Sequence, residues 1–301
     1  MTKPIASLLL ALCSCAAAAA APGHPVTLWM AEGLNNRVYL LGSIHLLREQ
    51  DHPLPSVIDD AYKDAEILFM EIDMDDLDPV AAQAMINMLG VIDDDRTLRD
   101  LLGEDVYAQA AEMAAAIDIP LDMLAKSEPW LAAITIEQLA LARVGFTPLH
   151  GIEMYMSAKA AQDGKAIHGF ESVDEQLRLL DGLSIDAQRT LLMQVLATAG
   201  SIESAMDAVI SAWRQGDVGY LQDVLLDEIA QDPDLYQTLI ADRNHRWTDR
   251  IAALLDDRDD YLIVVGALHL VGDDGIPELL AKRGIRVSQM REPGGSPGKN
   301  P

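Results

Sequence analysis

Apolar and polar positions alternate in short runs at both ends of this chain and recur at helical spacing through its middle. Near the start, "VTLWM" (26–30) and "RVYLL" (37–41) flank "AEGLNN", and the turn formers Gly33, Asn35 and Asn36 make the pair a predicted β-hairpin. Between 55 and 65, Val57, Ile58, Ala61, Tyr62 and Ala65 share one face of a helix. "EILFMEID" reads as a strand over 67–72. From 79 to about 196, Ala, Leu and Met recur every three or four residues, with breaks at Gly90, Gly103, Pro120, Pro129 and Pro148. Inside that region "KAIHGFES" (165–172) holds one short strand over 166–170, and helices run on from 184 to about 254. "YLIVVGALHL" opens with an apolar strand (261–265). "GIPELLAKRG" reads as a helix with Gly284 past its end, and "IRVSQM" as a last strand. The pattern predicts an α/β fold: a mostly parallel central sheet flanked by helices, with a large helical insertion at about 79–160.

The ends differ from the body. Lys3, an apolar run from Ile5 and small residues up to Ala21 follow the order of a secretory signal peptide, so 1–21 reads as a leader and the product as periplasmic or extracellular. A lipoprotein is the rival, with Cys13 or Cys15 lipidated; these are the chain's two cysteines, so a mature chain cut after them has no thiol chemistry. The run is too short for a confident membrane span. "EPGGSPGKNP" (292–301) is Gly/Pro-rich and reads as a disordered tail. A formal net charge of -26 argues against nucleic acid and anionic membrane surfaces, whose charges it repels.

Against that background one pattern occurs twice. "RVYLLGSIHLL" (37–47) and "YLIVVGALHLVG" (261–272) each run from an apolar strand into Gly-x-x-His. A glycine there permits a sharp turn, with positive φ if needed, and lets a ligand or cofactor approach the backbone at Gly42 and Gly266. One copy is ordinary turn chemistry. Two copies, with Glu71 near the end of strand 67–72 and Glu171 after strand 166–170, would gather His45, His269, Glu71 and Glu171 at the carboxyl edge of a parallel sheet, where ligands bind. That constellation suits metal binding or acid–base chemistry. Asp73, Asp75, Asp76 and Asp78 read as a solvated acidic loop, since the glycine and terminal glutamate of an EF-hand are missing. His-Glu-x-x-His, Gly-x-Ser-x-Gly, dinucleotide and Walker signatures are absent.

The order of these motifs resembles the TraB/PrgY/GumN family, to which the animal Tiki proteins are related, over about residues 26 to 290. "LWMAEGLNNRVYLLGSIHLL", "ILFMEID", "SEPW" (127–130), the "GIEMYMSAK…GFESVDEQL" segment, "LIADRNHRW" and "VVGALHLVGDDGIPELLAKRGIRV" carry the resemblance, closest to the secreted bacterial GumN-like branch. The chain departs mildly where the family often has Asp (here Glu153) and Leu (here Phe170). The resemblance implies a fold related to erythromycin esterases and ChaN lipoproteins, and for Tiki relatives a metal-dependent protease activity. By motif it implies site residues His45, Glu71, Glu171, Arg243 and His269, with Gly42 and Gly266 shaping the turns.

In a metal-dependent peptidase of that type, His45, Glu71 and His269 would hold a divalent Mn, Co or Zn ion that lowers the pKa of a bound water. Glu171 would be the general base and Arg243 would stabilise the oxyanion. The substrate would be a peptide or a small molecule. Two rivals stand beside it: a metal-free hydrolase in which a histidine oriented by a glutamate activates water, and a non-catalytic protein that binds haem, a metal or a peptide.

Overall fold

The computed structural model describes residues 23–74 and 77–293 of the 301. The expected leader with Cys13 and Cys15, Asp75 and Asp76, and the chain from 294 onward lie outside the described residues.

The hairpin forms as its turn residues predict. β1 (Pro25–Glu32) and β2 (Arg37–Ser43) pair antiparallel with Leu28 opposite Leu41. β3 (Ile67–Ile72), β4 (Ile167–Glu171), β5 (Tyr261–Gly266) and β6 (Val287–Arg291) complete a sheet of order β4-β3-β5-β2-β1-β6. The contiguous block β4, β3, β5 and β2 is parallel, whereas β1 is antiparallel to both its neighbours. The sheet is therefore mixed, where the alternation of strands and helices predicted a mostly parallel one. The reason is β1: no crossover helix separates the two hairpin strands, so β1 runs opposite to β2, while β6, antiparallel to β1, shares the direction of the parallel block.

β2 and β5 lie in the middle and are apolar on both faces, because both faces are covered by helices. On one face Tyr39, Leu41, Leu68, Met70, Leu262 and Val264 pack with α1 (Ser56–Asp64), which carries Val57, Ile58, Ala61 and Tyr62 as its spacing predicts. On the other, Val38, Leu40, Phe69, Ile263 and Val265 meet a separate cluster that includes Trp247 and Ile251.

The long helical region begins at α2 (Pro79–Gly90), whose first N–H groups are capped by Asp78, a member of the acidic loop. α3 (Leu98–Leu102), α4 (Glu104–Ala116) and α5 (Pro129–Arg143) follow, then α6 (Ile152–Asp163), α7 (Val173–Asp181), α8 (Ile185–Ala199) and α9 (Ile202–Gln215). α3, α4, α5 and α8 enclose a third core around Leu98, Tyr107, Ile136 and Leu192. After α10 (Val218–Leu221) and α11 (Pro233–Tyr236), a π turn at Gln237–Ala241 leads into α12 (Asp242–Leu254). α13 (Ile276–Lys282) precedes β6. Glu292, beyond β6, accepts from Ser56 and Val57 N–H at 3.0 Å each and so holds the start of α1. Among the described residues no single helix is long and apolar enough to cross a membrane.

Candidate active site

Every polar group singled out along the parallel block sits where its strand ends. β2 and β5 are neighbours in register, Gly42 opposite Val265 and Ser43 opposite Gly266, so the two Gly-x-x-His segments leave the sheet side by side. The glycines do not serve as left-handed turns: neither has a positive φ. Gly42 lies inside β2, and a Cβ there would stand 2.6 Å from Thr27 Cγ2 and 3.1 Å from Ala267 Cα. It is a close-packing position between the two motifs and leaves no room for the ligand expected there. Gly266 is the opposite case. A Cβ on it would be 3.3 Å from Glu71 Oε1, 3.7 Å from His269 Cδ2 and 3.7 Å from His45 Nε2. The bare Gly266 is thus the point around which both histidines and Glu71 gather, and its N–H donates to Glu71 Oε1 at 2.8 Å.

The histidines occupy different environments. His45 leaves β2 into a cleft and keeps 59% of its side chain exposed. Its Nδ1 donates to Glu153 Oε1 at 2.7 Å. Glu153 is delivered by α6, whose first N–H, Ile152, donates to Ile44 O at 3.2 Å; Gly151 allows that approach, since a Cβ there would meet the His45 carbonyl at 2.0 Å. The Glu153 charge, opposed by desolvation and aided by Glu71 and Glu137, pushes the His45 imidazole up to about 9. His45 is therefore an imidazolium at neutral pH, although solvent at its exposed face weakens that field.

His269 sits in a 3₁₀ turn after β5 with 5% of its side chain exposed. Arg243 Nη1 donates to its Nε2 at 3.2 Å, and a guanidinium never accepts, so the imidazole proton is on Nδ1 and donates to Asn244 Oδ1 at 2.6 Å. The Asn244 amide is oriented by its own donation to the His269 and Asp274 carbonyls at 3.3 and 2.8 Å. The ring lies 4.7 Å from the Trp247 ring. Burial, together with the Arg243 and His45 charges and against the pull of Glu71, pushes His269 down to about 3, so it stays neutral.

Arg243 is the centre of the site. Its Nη2 donates to Glu71 Oε2 at 2.7 Å, its Nε to Glu171 at 3.0 and 3.2 Å, and its Nη1 to the Leu239 carbonyl at 3.2 Å as well as to His269. Nη2 also lies 3.0 Å from Glu171 Oε2, which commits all five guanidinium donors within the protein. Arg246 Nη2 donates to Glu171 Oε1 at 3.0 Å, and Gln176 Nε2 to Glu71 Oε2 at 3.1 Å. Burial opposes charge on Glu71, but the positive groups around it and the Gly266 N–H hold it at about 2; with His269 neutral, the cations that matter are Arg243 and His45. α12 supplies Arg243, Asn244, Arg246, Trp247 and Arg250 at helical spacing, and the π turn just before it sets their rotation toward the strand ends.

The structure thus brings His45, Glu71, Glu171, Arg243 and His269 together, with a geometry that alters several expected roles. Among the described residues no three His, Cys, Asp or Glu are arranged to hold a metal ion. The donor chemistry explains why the expected set does not fit in this arrangement. His45 Nε2 and Glu71 Oε1 both face Gly266, but His269 Nε2 is spent on Arg243 and lies 3.8 Å from Glu71 Oε1. The place between the carboxylates that a cation would take belongs to a guanidinium. Likewise Glu171 is tied to two arginines, and Arg243 has no donor left for an oxyanion. Glu153, Gln176, Asn244 and Arg246 were not expected in the site. Glu153 carried a signal, as the one departure beside the "GI" that opens α6, and Gln176 stands in the "DEQL" segment.

A mixed α/β sheet with a carboxylate-oriented histidine and a buried arginine–carboxylate network at the carboxyl edge of its parallel strands defines the class. The chain belongs to the TraB/PrgY/gumN family, which it matches over residues 27–289. It is 24% identical over 246 residues to the uncharacterized protein YbaP of Escherichia coli (strain K12), covering 82% of this chain and 88% of that one. It is 22% identical over 301 aligned positions to the metalloprotease TIKI2 of Danio rerio, covering 83% of this chain and 57% of that one. A metalloprotease TIKI1 of Xenopus tropicalis is 21% identical, with 83% and 58% covered. No solved structure gives a significant match.

Proposed function

We propose that this protein is an exported hydrolase of peptide or small-molecule substrates, in which His45 is the acid–base group. The observation that carries the reading is the Glu153–His45 pair: Nδ1 fixed at 2.7 Å, Nε2 directed past Gly266 and Glu71, and the ring open to the cleft. This is the arrangement in which a carboxylate orients an imidazole and leaves its second nitrogen to work. The imidazolium gives its proton to the leaving atom as the scissile bond breaks. The water that bonds to the carbonyl carbon returns a proton to the same nitrogen, so His45 ends as it began. The raised His45 pKa favours the proton-donating half of that cycle. Arg243, anchored by Glu171, acts from behind and holds Glu71 ionised beside His45.

A second reading, a peptidase dependent on Mn, Co or Zn, is favoured by the names of the TIKI relatives. It requires Arg243 to release His269 before His45, Glu71 and His269 can act as ligands. Export rests on the leader-like order of residues 1–21, and mass spectrometry of the mature N-terminus tests it.

The deciding experiment is a peptide and ester hydrolysis screen with wild type and His45→Ala, each with a chelator and with added Mn²⁺, Co²⁺ or Zn²⁺. We expect chelator-resistant turnover that falls by roughly 10²–10⁴ in His45→Ala. Turnover abolished by the chelator and restored by one ion would transfer the reading to the metal peptidase. Turnover indifferent to His45→Ala would end both.

A further inference from the structure

β4 is the edge of the sheet, paired only with β3. A groove of about 560 Å³ runs beside it. Four consecutive β4 residues line this groove, His168, Gly169, Phe170 and Glu171. Ile72 at the end of β3 lines it too, so the groove touches both faces of β4 and wraps around its open edge near the strand end. The register gives the direction of the backbone groups. Leu68 N–H donates to Ala166 O at 3.0 Å and Leu68 stands opposite Ile167, so the even-numbered β4 residues bond to β3. The N–H and C=O of Ile167, Gly169 and Glu171 therefore turn outward. The Gly169 carbonyl confirms this by accepting from Arg250 Nη1 at 2.7 Å on that side. Gly169 has no alternative side chain: a Cβ would stand 2.6 Å from Asp73 N. The far wall is α2, with Ala82 and Met85 facing Ile72 and Phe170 across the groove, and the rim carries Asp78, Asp174 and Glu175 against Arg250.

We propose that this open edge is the docking strand for the substrate, an extended peptide with apolar and basic side chains that adds to β4 as a further strand. Backbone bonds to the outward groups other than the Gly169 carbonyl, which Arg250 holds, give affinity, the Ala82–Met85 wall takes an apolar side chain, and the acidic rim favours cations. β4 leads straight into Glu171, so a chain laid along it is carried to the carboxyl edge where Glu71 and His45 stand. The proposal rests on the hydrolase reading for why a peptide comes there, but its test reads binding alone.

The test uses the full chain with His45→Ala, which prevents turnover, and fluorescence anisotropy with a labelled Lys-Val-Lys-Val-Lys peptide. A Glu-Val-Glu-Val-Glu peptide is the charge control. Two further probes carry N-methyl groups on alternate amides, one set in each register. A strand addition uses only alternate N–H groups, so one N-methylated probe is expected to lose at least about tenfold in affinity and the other to bind as the parent does. Ala82→Trp fills the groove and is expected to cost about tenfold with an unchanged Tm, and Asp174→Asn, on the rim, several-fold for the Lys peptide only. Equal loss in both N-methyl registers, equal binding of the Glu and Lys peptides, or no binding at all would overturn the docking strand. Ester hydrolysis by wild type in the screen above would survive each of those outcomes.

Discussion

The two Gly-x-x-His segments are alike in sequence and adjacent in space, yet they differ in chemistry. His45 is exposed, bound to a carboxylate and charged; His269 is buried, bound to an arginine and an amide, and neutral. The difference comes from what packs on each, α6 with Glu153 on the first and α12 with Arg243 and Asn244 on the second. A motif therefore places an imidazole at a strand end, and the covering helix decides its proton.

The largest effect that sharpens this comparison is expected at the residue between the two. Arg243→Ala leaves Glu71 and Glu171 buried with reduced compensation and should destabilise by about 3–5 kcal/mol in urea unfolding. A loss below about 1 kcal/mol would mean that the network is wet and the contrast overstated. Next come the histidines as a pair. His45→Ala should cost roughly 10²–10⁴ in turnover, with a stability loss that disappears as pH rises through about 9. His269→Ala should do the reverse in stability, costing about 1–3 kcal/mol as the Arg243 and Asn244 groups lose their partner. Stability losses with the same pH dependence would erase the distinction.

The pH dependence has opposite signs at the two sites. His45 has a folded pKa of about 9 against an ordinary 6.5, so its contribution to stability is fully present below 6.5 and is lost as pH rises through about 9. His269 has a folded pKa of about 3, so its contribution is present above 6.5 and is lost as pH falls toward about 3, while the unfolded chain gains a proton. Glu71 adds to the acid limb, from its ordinary 4.5 down through about 2. Urea midpoints across pH should show His269→Ala flattening the acid limb and His45→Ala flattening the alkaline one. The smallest effect is local: Glu153→Gln should return the His45 pKa toward 6.5 with little change in Tm.

Much of this was legible along the chain because it is periodic. The hairpin, α1, β3, β4 and β5 follow from alternation, helical spacing and turn residues, and the carboxyl-edge gathering of His45, Glu71, Glu171 and His269 follows from strand ends. What stayed hidden is non-local. The pairing of β6 with β1 joins segments about 260 residues apart, and no periodicity in either announces it. The guanidinium of Arg243 among its carboxylates depends on the rotation of α12 after a π turn. Gly42 and Gly266 look equivalent in sequence, but only Gly266 opens onto the site.

The most direct test is an NMR titration of the imidazole nitrogens, with the two signals assigned through His45→Gln and His269→Gln. At pH 7, His45 should show both nitrogens protonated and lose a proton only as pH approaches about 9. His269 should show one proton, on Nδ1, and keep that form down to about pH 4 or below. A neutral His45 at pH 7, or a His269 that titrates near 6.5, would contradict the division of labour between the two segments.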